Sequence, residues 1–246
     1  MSDPVITALR TAGCVFAEDE ARLLRETART PEELDALVRR RVVGEPLEHV
    51  LGWAEFAGRR FAVAPGVFVP RHRTEFLVDL AVGLLEPGDV VLDLCCGTGA
   101  LGAVVADRVD VELHSSDVDP ASVECARRNV PTAYLGDLFD PLPTVLKGRF
   151  AAVLANVPYV PTDAIALMPP EARDHEVRVA LDGGPDGLDV LRRVAAEAPD
   201  WLAPRGHLLS EIGERQAEAA LEAFEAAGLS ARLAQTEDAL VILGRN

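Results

Sequence analysis

VVLDLCCGTG, residues 90–99, decides how the rest of the chain reads. The apolar run Val90–Leu94, broken only by Asp93, is strand-like and too short for a helix. It ends in Asp93-Leu94-Cys95-Cys96-Gly97-Thr98-Gly99 and passes directly into ALGAVVADR, whose apolar spacing is helical. Strand, glycine turn and helix in that order open a βαβ unit. Going outward, the same alternation continues. Strand VELHSSD, helix ASVECARRN, strand AYLGD and strand AAVLAN follow, then a long loop, helix GLDVLRRVAAEAPDWL, strand GHLLSEIG and helix RQAEAALEAFEAAG. SARLAQTE and ALVILGR close the chain with no helix between them, so the last strand must run antiparallel to its neighbour. The expected fold is α/β: a doubly wound, mostly parallel seven-stranded sheet with an antiparallel last strand.

Upstream the texture changes. Residues 1–50 are charged and rich in Ala and Leu, with no alternation, and read as a small helical unit. Thr30-Pro31-Glu32-Glu33 is a helix start, with an N-cap threonine, a first-turn proline and acids at the positive end of the dipole. Residues 51–73 carry two short aromatic and β-branched runs around Gly58, a β-hairpin linker. The α/β domain is expected over residues 74–246.

Composition narrows the function. The 246 residues carry a net charge of −16, from 24 basic and 40 acidic side chains, and Lys147 is the one lysine. Such a chain is a poor binder of nucleic acid, whose affinity comes from clustered cations on phosphates. Arg39-Arg40-Arg41 is the densest basic run and reads as a helix surface. No apolar stretch approaches membrane-spanning length, and the N-terminus lacks the basic-then-apolar pattern of a secretory signal. Cys14, Cys95, Cys96 and Cys125 fit neither a zinc pattern nor a disulfide framework, and the histidines show no paired ligand spacing. A cytoplasmic protein with reduced thiols, no metal and no membrane contact is expected.

In open α/β sheets, ligands bind where the strands end. Gly97 and Gly99 allow a tight turn and close backbone approach, and Asp93 can accept hydrogen bonds from the loop or from a ligand amine. Gly97-Thr98-Gly99-Ala100-Leu101-Gly102 fits the letters of a dinucleotide turn, but the strand-end acid suits a pyrophosphate badly. Asp117 ends the second strand, where an acid can bind both hydroxyls of an adenosine ribose. Asp119 before Pro120 caps the next helix, and Asp137 ends the third strand within reach of an adenine amino group. Three successive acids favour a ligand with a ribose, an adenine and a cationic end over one with a pyrophosphate. The fourth strand ends in Asn156-Val157-Pro158-Tyr159. The asparagine oxygen and the Val157 carbonyl can together accept both hydrogens of a planar NH2 group. Pro158 holds Val157 extended, and Tyr159 offers a face for stacking. The same residues would also make an ordinary asparagine–proline turn.

With these motifs the sequence resembles the class I S-adenosylmethionine-dependent methyltransferases, and within them the HemK/PrmC-type glutamine N5-methyltransferases of peptide-chain release factors. The likeness covers about residues 44–246, and includes GEPLEHVLGWAEFAGRRFAVAPGVFVPR, DLCCGTGALG, the NPPY-type motif, ALDGGPDGLDVLRRV, LLSEIGERQ and LVILGR. The resemblance implies S-adenosyl-L-methionine as cofactor, held by Asp93, Gly97, Thr98 and Gly99 on the methionine side. Asp117 would bind the ribose, with Val118, Asp137 and Leu138 around the adenine and Thr74 nearby. Asn156 and the Val157 carbonyl would hold the acceptor amide, with Tyr159 and Phe68 lining its slot. Glu171, Arg173, Glu176 and Arg178 match a polar loop to which the resemblance gives no role.

Four departures from the family pattern imply a divergent paralogue. Cys95 stands in place of the first loop glycine, which leads us to expect a negative φ there. Val157 replaces the first proline of NPPY, keeping the carbonyl while gaining an N–H. His72-Arg73 replaces a Pro–acid pair, and the helical unit is shorter than the family's substrate-recognition domain. The implied reaction is methyl transfer to a glutamine side chain in a protein, a release factor being the leading acceptor. Two alternatives remain at this point: methylation of an exocyclic amine in RNA or DNA, which the Asn156 motif would serve equally and the acidic composition opposes, and a catalytically silent cofactor-binding paralogue.

Overall fold

A computed structural model describes residues 3–246; the first two residues of the expected 1–50 unit lie outside the described residues. Four helices open the chain: α1 (Pro4–Thr11), α2 (Ala17–Thr27), α3 (Pro31–Val42) and α4 (Leu47–Leu51). Their apolar faces meet in a core of their own, including Leu9, Ala21, Leu24 and Leu37. The α3 start forms as its sequence requires, with Thr30 Oγ1 accepting from the Glu33 N–H at 3.1 Å. The arginine run on α3 departs from expectation. Arg41 is buried, not on the surface, because its guanidinium bridges Glu20 on α2 (2.6 Å) and Glu171 beyond the fourth strand end (2.6 Å).

A hairpin, β1 (Trp53–Phe56) and β2 (Arg59–Ala62), follows, with Phe56 opposite Arg59. Ala57 and Gly58 both take positive φ, as a two-residue turn matched to strand twist requires. After α5 (Glu75–Val82), the alternating part runs β3 (Val90–Leu94), α6 (Ala100–Arg108), β4 (Glu112–Asp117), α7 (Pro120–Ala126), β5 (Ala133–Leu135) and β6 (Phe150–Ala155). The expected long loop contains one short helix, α8 (Pro170–His175), flanked by 3-10 turns. Then come α9 (Asp189–Trp201), β7 (Leu202–Ile212), α10 (Ala217–Ala226), β8 (Ser230–Gln235) and β9 (Leu240–Arg245).

The seven strands order as β5-β4-β3-β6-β7-β9-β8. Neighbours from β5 through β7 are parallel, and β9 is antiparallel to both β7 and β8. Side chains alternate between the faces: Val153 and Ala155 enter the core under α9 and α10, while Ala152 and Leu154 enter the one under α5, α6 and α7. Strands buried on both faces read as continuous apolar runs, which is why AAVLA carries no polar residue. The chain winds one way from β3 to β4 and the other way from β6, so the switch of direction falls between β3 and β6. A crevice opens at the carboxyl ends of the strands at such a point. No described helix is long and apolar enough to cross a membrane.

Candidate active site

A cavity of about 400 Å³ lies over the ends of β3, β4 and β6. At one end is the glycine turn. The Asp117 carboxylate organises it, accepting from the Gly97 N–H at 2.8 Å on one oxygen and from the Asp119 N–H at 2.9 Å on the other. Burial pushes the Asp117 carboxyl up, while these backbone donors act against the shift. Asp93 is 1% exposed and accepts from the Gly102 N–H at 2.9 Å, at the first turn of α6. Burial pushes its pKa up to about 7. Gly99 has φ +75°, and a Cβ there would stand 3.0 Å from Val130, beyond the end of α7, and 3.4 Å from Ala126 of α7, so glycine suits the turn at this close approach.

Cys95 departs from the expected negative φ: it sits at +57°. The turn leaves it little choice, because the next two N–H groups are committed, Cys96 to the Ser116 carbonyl at 3.0 Å and Gly97 to Asp117. A left-handed cysteine costs about 1–2 kcal/mol, which the surrounding bonds offset. Its thiol and that of Cys96 are both pushed well above the usual range by burial and the nearby acids.

The adenine end named by the resemblance gathers Val118, Asp137 and Leu138 on the same cavity wall. Asp137 is engaged, its carboxylate accepting from Arg193 of α9 at 2.6 Å. Thr98 and Phe68 line the wall as well, and Phe68 Cβ lies 4.0 Å from where a Gly97 Cβ would stand. Thr74 and Gly99, also expected near the cofactor, are not among the residues that line the cavity; Thr74 is buried, and its Oγ1 donates to Glu211 at 2.7 Å.

At the other end, β6 delivers Asn156-Val157-Pro158-Tyr159 into the cavity. The Asn156 Oδ1 is buried and has no hydrogen-bond partner. Val157 is buried, at 2% exposure. The chain beyond is clamped from two sides. Val160 N–H donates to Leu181 O at 3.0 Å, and Gly183 N–H donates back to Val160 O at 2.9 Å. A Cβ on Gly183 would come within 2.6 Å of the Pro158 carbonyl oxygen, so the close approach requires glycine. From the far side, Gln216 Nε2 donates to the Tyr159 carbonyl at 2.8 Å and to the Asp186 carbonyl at 2.9 Å. The stretches ALDGG and SEIGERQ therefore brace the motif, a role the sequence did not disclose.

Sequence reasoning missed the role of three charged residues here, Glu211, Arg73 and Arg193. Glu211, 3% exposed on β7, accepts from Arg73 Nε at 2.7 Å and from the Tyr159 hydroxyl at 2.9 Å. An acid inside the apolar strand LLSEI was the available signal, since a buried charge demands partners. Arg193, on the exposed side of α9, gave none. The polar loop has structural partners: Glu171 pairs with Arg41, Arg178 with Asp182, and Glu176 with Arg71 and the Val69 N–H. Arg173 pairs with its neighbour Asp174. Among the described residues, no group of three or more His, Cys, Asp or Glu converges as a metal site would.

The family "Methyltransferase small domain" matches residues 59–224. The release factor glutamine methyltransferase of Geobacter sulfurreducens is 38% identical over 208 residues, covering 80% of this chain and 72% of its own. That of Mycolicibacterium smegmatis is 36% identical over 235 residues, covering 91% and 83%. Among solved structures, a methyltransferase from Pyrococcus furiosus superposes with a TM-score of 0.57 at 17% identity, covering 75% of this chain and 87% of that one. An E. cuniculi Mtq2–Trm112 complex, described as responsible for methylation of the eRF1 translation termination factor, gives 0.53 at 23% identity, covering 74% and 99%. The two structures share the fold. With the family match and the two sequence relatives beside the geometry of the cavity, the chain belongs to the methyltransferase small domain family, among the release factor glutamine methyltransferases.

Proposed function

We propose that this protein moves the methyl group of S-adenosylmethionine to the side-chain amide nitrogen of a glutamine in a peptide-chain release factor. The observation that carries the reading is the Asn156 Oδ1, an acceptor buried in the cavity wall without a donor. Leaving such a group unpaired costs about 1–3 kcal/mol, which a ligand NH2 would recover.

The cavity suits the cofactor. An Asp117 carboxylate has about four acceptor directions and the backbone takes two, leaving room for ribose hydroxyls. Asp93, Asp117 and Asp137 line the cavity, Asp137 being paired with Arg193, and Val118 and Leu138 offer apolar contact to a base. The chemistry supplied there, once the cofactor is bound, is a methyl group already activated on a sulfonium. The rest falls to the protein's own residues. An amide nitrogen is a poor nucleophile because its lone pair is delocalised into the carbonyl. Asn156 Oδ1 and the Val157 carbonyl, as acceptors for the two N–H bonds, orient the nitrogen and stabilise the positive charge that develops on it during attack. Pro158 limits the motion of the Val157 carbonyl, and Tyr159 walls the slot. Free Cys14, Cys95, Cys96 and Cys125 suit the reducing cytoplasm, where we place the protein.

Tandem mass spectrometry of a purified release factor after incubation with enzyme and S-adenosylmethionine tests the reading. One methyl group on a glutamine side chain is expected; full cofactor occupancy with every glutamine unmodified would contradict it.

A further inference from the structure

Arg73 stands between two cavities. With Tyr159 it lines the cavity described above, and with Tyr159 and Glu211 it lines a second, of about 330 Å³, under the β8–β9 turn. Its guanidinium divides its donors: Nε gives to Glu211 Oε1 at 2.7 Å, and Nη2 gives to the phenol oxygen of Tyr159. That phenol donates its own proton to the same Glu211 oxygen at 2.9 Å. The Thr74 hydroxyl donates to the other Glu211 oxygen at 2.7 Å. The Tyr159 hydroxyl therefore spends its one proton and accepts in return, both times with a charged partner. Charge-assisted bonds of this kind are about twice as strong as neutral ones. The inner end of the residue is held independently, by Gln216 on its carbonyl.

A tyrosine tied only at its backbone could swing its ring about χ1 and χ2. Tied also at its hydroxyl to a buried carboxylate and a guanidinium, it has one orientation. We infer that Arg73 is a positioning residue for methyl transfer, fixing the Tyr159 ring as a rigid wall of the acceptor slot through the Arg73–Tyr159–Glu211 triangle. The inference rests on the acceptor reading of the Asn156 motif. A purely structural Arg73, present only to neutralise Glu211, would affect folding and leave the acceptor kinetics alone.

The test is a double-mutant cycle on the full chain, with release factor as acceptor. Arg73→Met and Tyr159→Phe should each lower kcat/KM for the acceptor by about tenfold or more, with the Kd for S-adenosylmethionine changed by less than about threefold. The double variant should be no worse than Tyr159→Phe by more than about twofold, since Arg73 acts through the hydroxyl already removed. Arg73→Lys keeps the charge beside Glu211 but not the second donor arm, and should fold with an intermediate rate. If Arg73→Met does not fold, the lysine variant carries the cycle in its place. Losses that multiply in the double variant, or wild-type kcat/KM in Arg73→Lys and Arg73→Met alike, would overturn the inference. A readout without turnover separates it from the acceptor reading: fluorine NMR of 3-fluorotyrosine at Tyr159 in a Tyr134→Phe background. The resonance should shift and broaden on Arg73→Met, and an unchanged signal would also overturn the inference. Should the wild type methylate no glutamine, the acceptor reading falls, and the fluorine signal alone decides whether Arg73 positions the ring.

Discussion

The two ends of the cavity are built on opposite terms. At the glycine turn each acid already has a protein partner: Asp93 accepts from Gly102, Asp117 from Gly97 and Asp119, and Asp137 from Arg193. At the end of β6 the decisive acceptor, Asn156 Oδ1, is buried and unpaired. The first end is shaped in advance by its own backbone and is suited to a ligand held the same way throughout a turnover. The second end is completed only when a donor arrives, so its interactions can grow as the reaction proceeds. Binding energy spent at the first end sets affinity, and that spent at the second sets rate.

The largest effect expected from this division lies at the unpaired end. Asn156→Ala should lower the rate of methyl transfer by about a hundredfold or more, by analogy with deleting one preorganised partner of a developing charge. Cofactor affinity, measured by calorimetry on the same preparation, should stay within a few-fold. Equal losses in both would erase the distinction between the ends.

Next comes the proton on Asp93. Its carboxyl is pushed from 3.8 to about 7 by burial, so between about pH 4 and pH 7 the folded state holds a proton that the unfolded chain releases. Stability tied to Asp93 therefore falls as pH rises through that window and is level above it. Asp93→Asn keeps an acceptor for Gly102 and removes the titration. Urea unfolding should show the variant gaining on the parent from pH 5 to pH 8, by about 2–3 kcal/mol, the part of the shift that lies above pH 5. A pH-independent difference would show that Asp93 is ionised in both states.

Asp117→Ala should weaken cofactor binding by about 1.5–3 kcal/mol, the scale of hydrogen bonds to a charged group. It also frees the Gly97 and Asp119 N–H groups, so the loss should appear in cofactor Kd and much less in kcat at saturation. The smallest effect belongs to Val157→Pro. The carbonyl survives, so transfer should stay within a few-fold of the parent in steady-state assays. A large loss there would mean that the Val157 N–H has a role of its own.

The sequence disclosed what local pattern controls. Val90–Leu94 followed by a glycine turn and a helical run announced the βαβ opening, and acids after successive apolar runs marked the strand ends. Thr30 and Asp119 were readable as caps because their partners lie three residues away. The resemblance added Thr98, Val118, Leu138 and Phe68, which the structure brings to the same cavity, and Thr74, which does not line it. What escaped depends on long-range pairing. Arg73 and Glu211 are 138 residues apart in sequence and meet only where α5, which Arg73 precedes, packs against β6 and β7. Arg41 looked like surface charge until α8 brought Glu171 to it across 130 residues. The φ of Cys95 escaped for a different reason. A glycine-to-cysteine exchange suggests a relaxed backbone, whereas the fixed N–H groups of Cys96 and Gly97 impose the left-handed turn regardless of side chain.

Methyl-label transfer from S-adenosylmethionine, offered in parallel to purified release factors, tRNA, ribosomal RNA and duplex DNA, tests whether the acceptor is a protein glutamine. The net charge of −16 and the single lysine leave little to neutralise phosphates, so label should enter release factor only, with modest dependence on salt. Label in any of the nucleic acids, with none on a glutamine of the release factors, would contradict the account and assign Asn156 to a nucleobase amine.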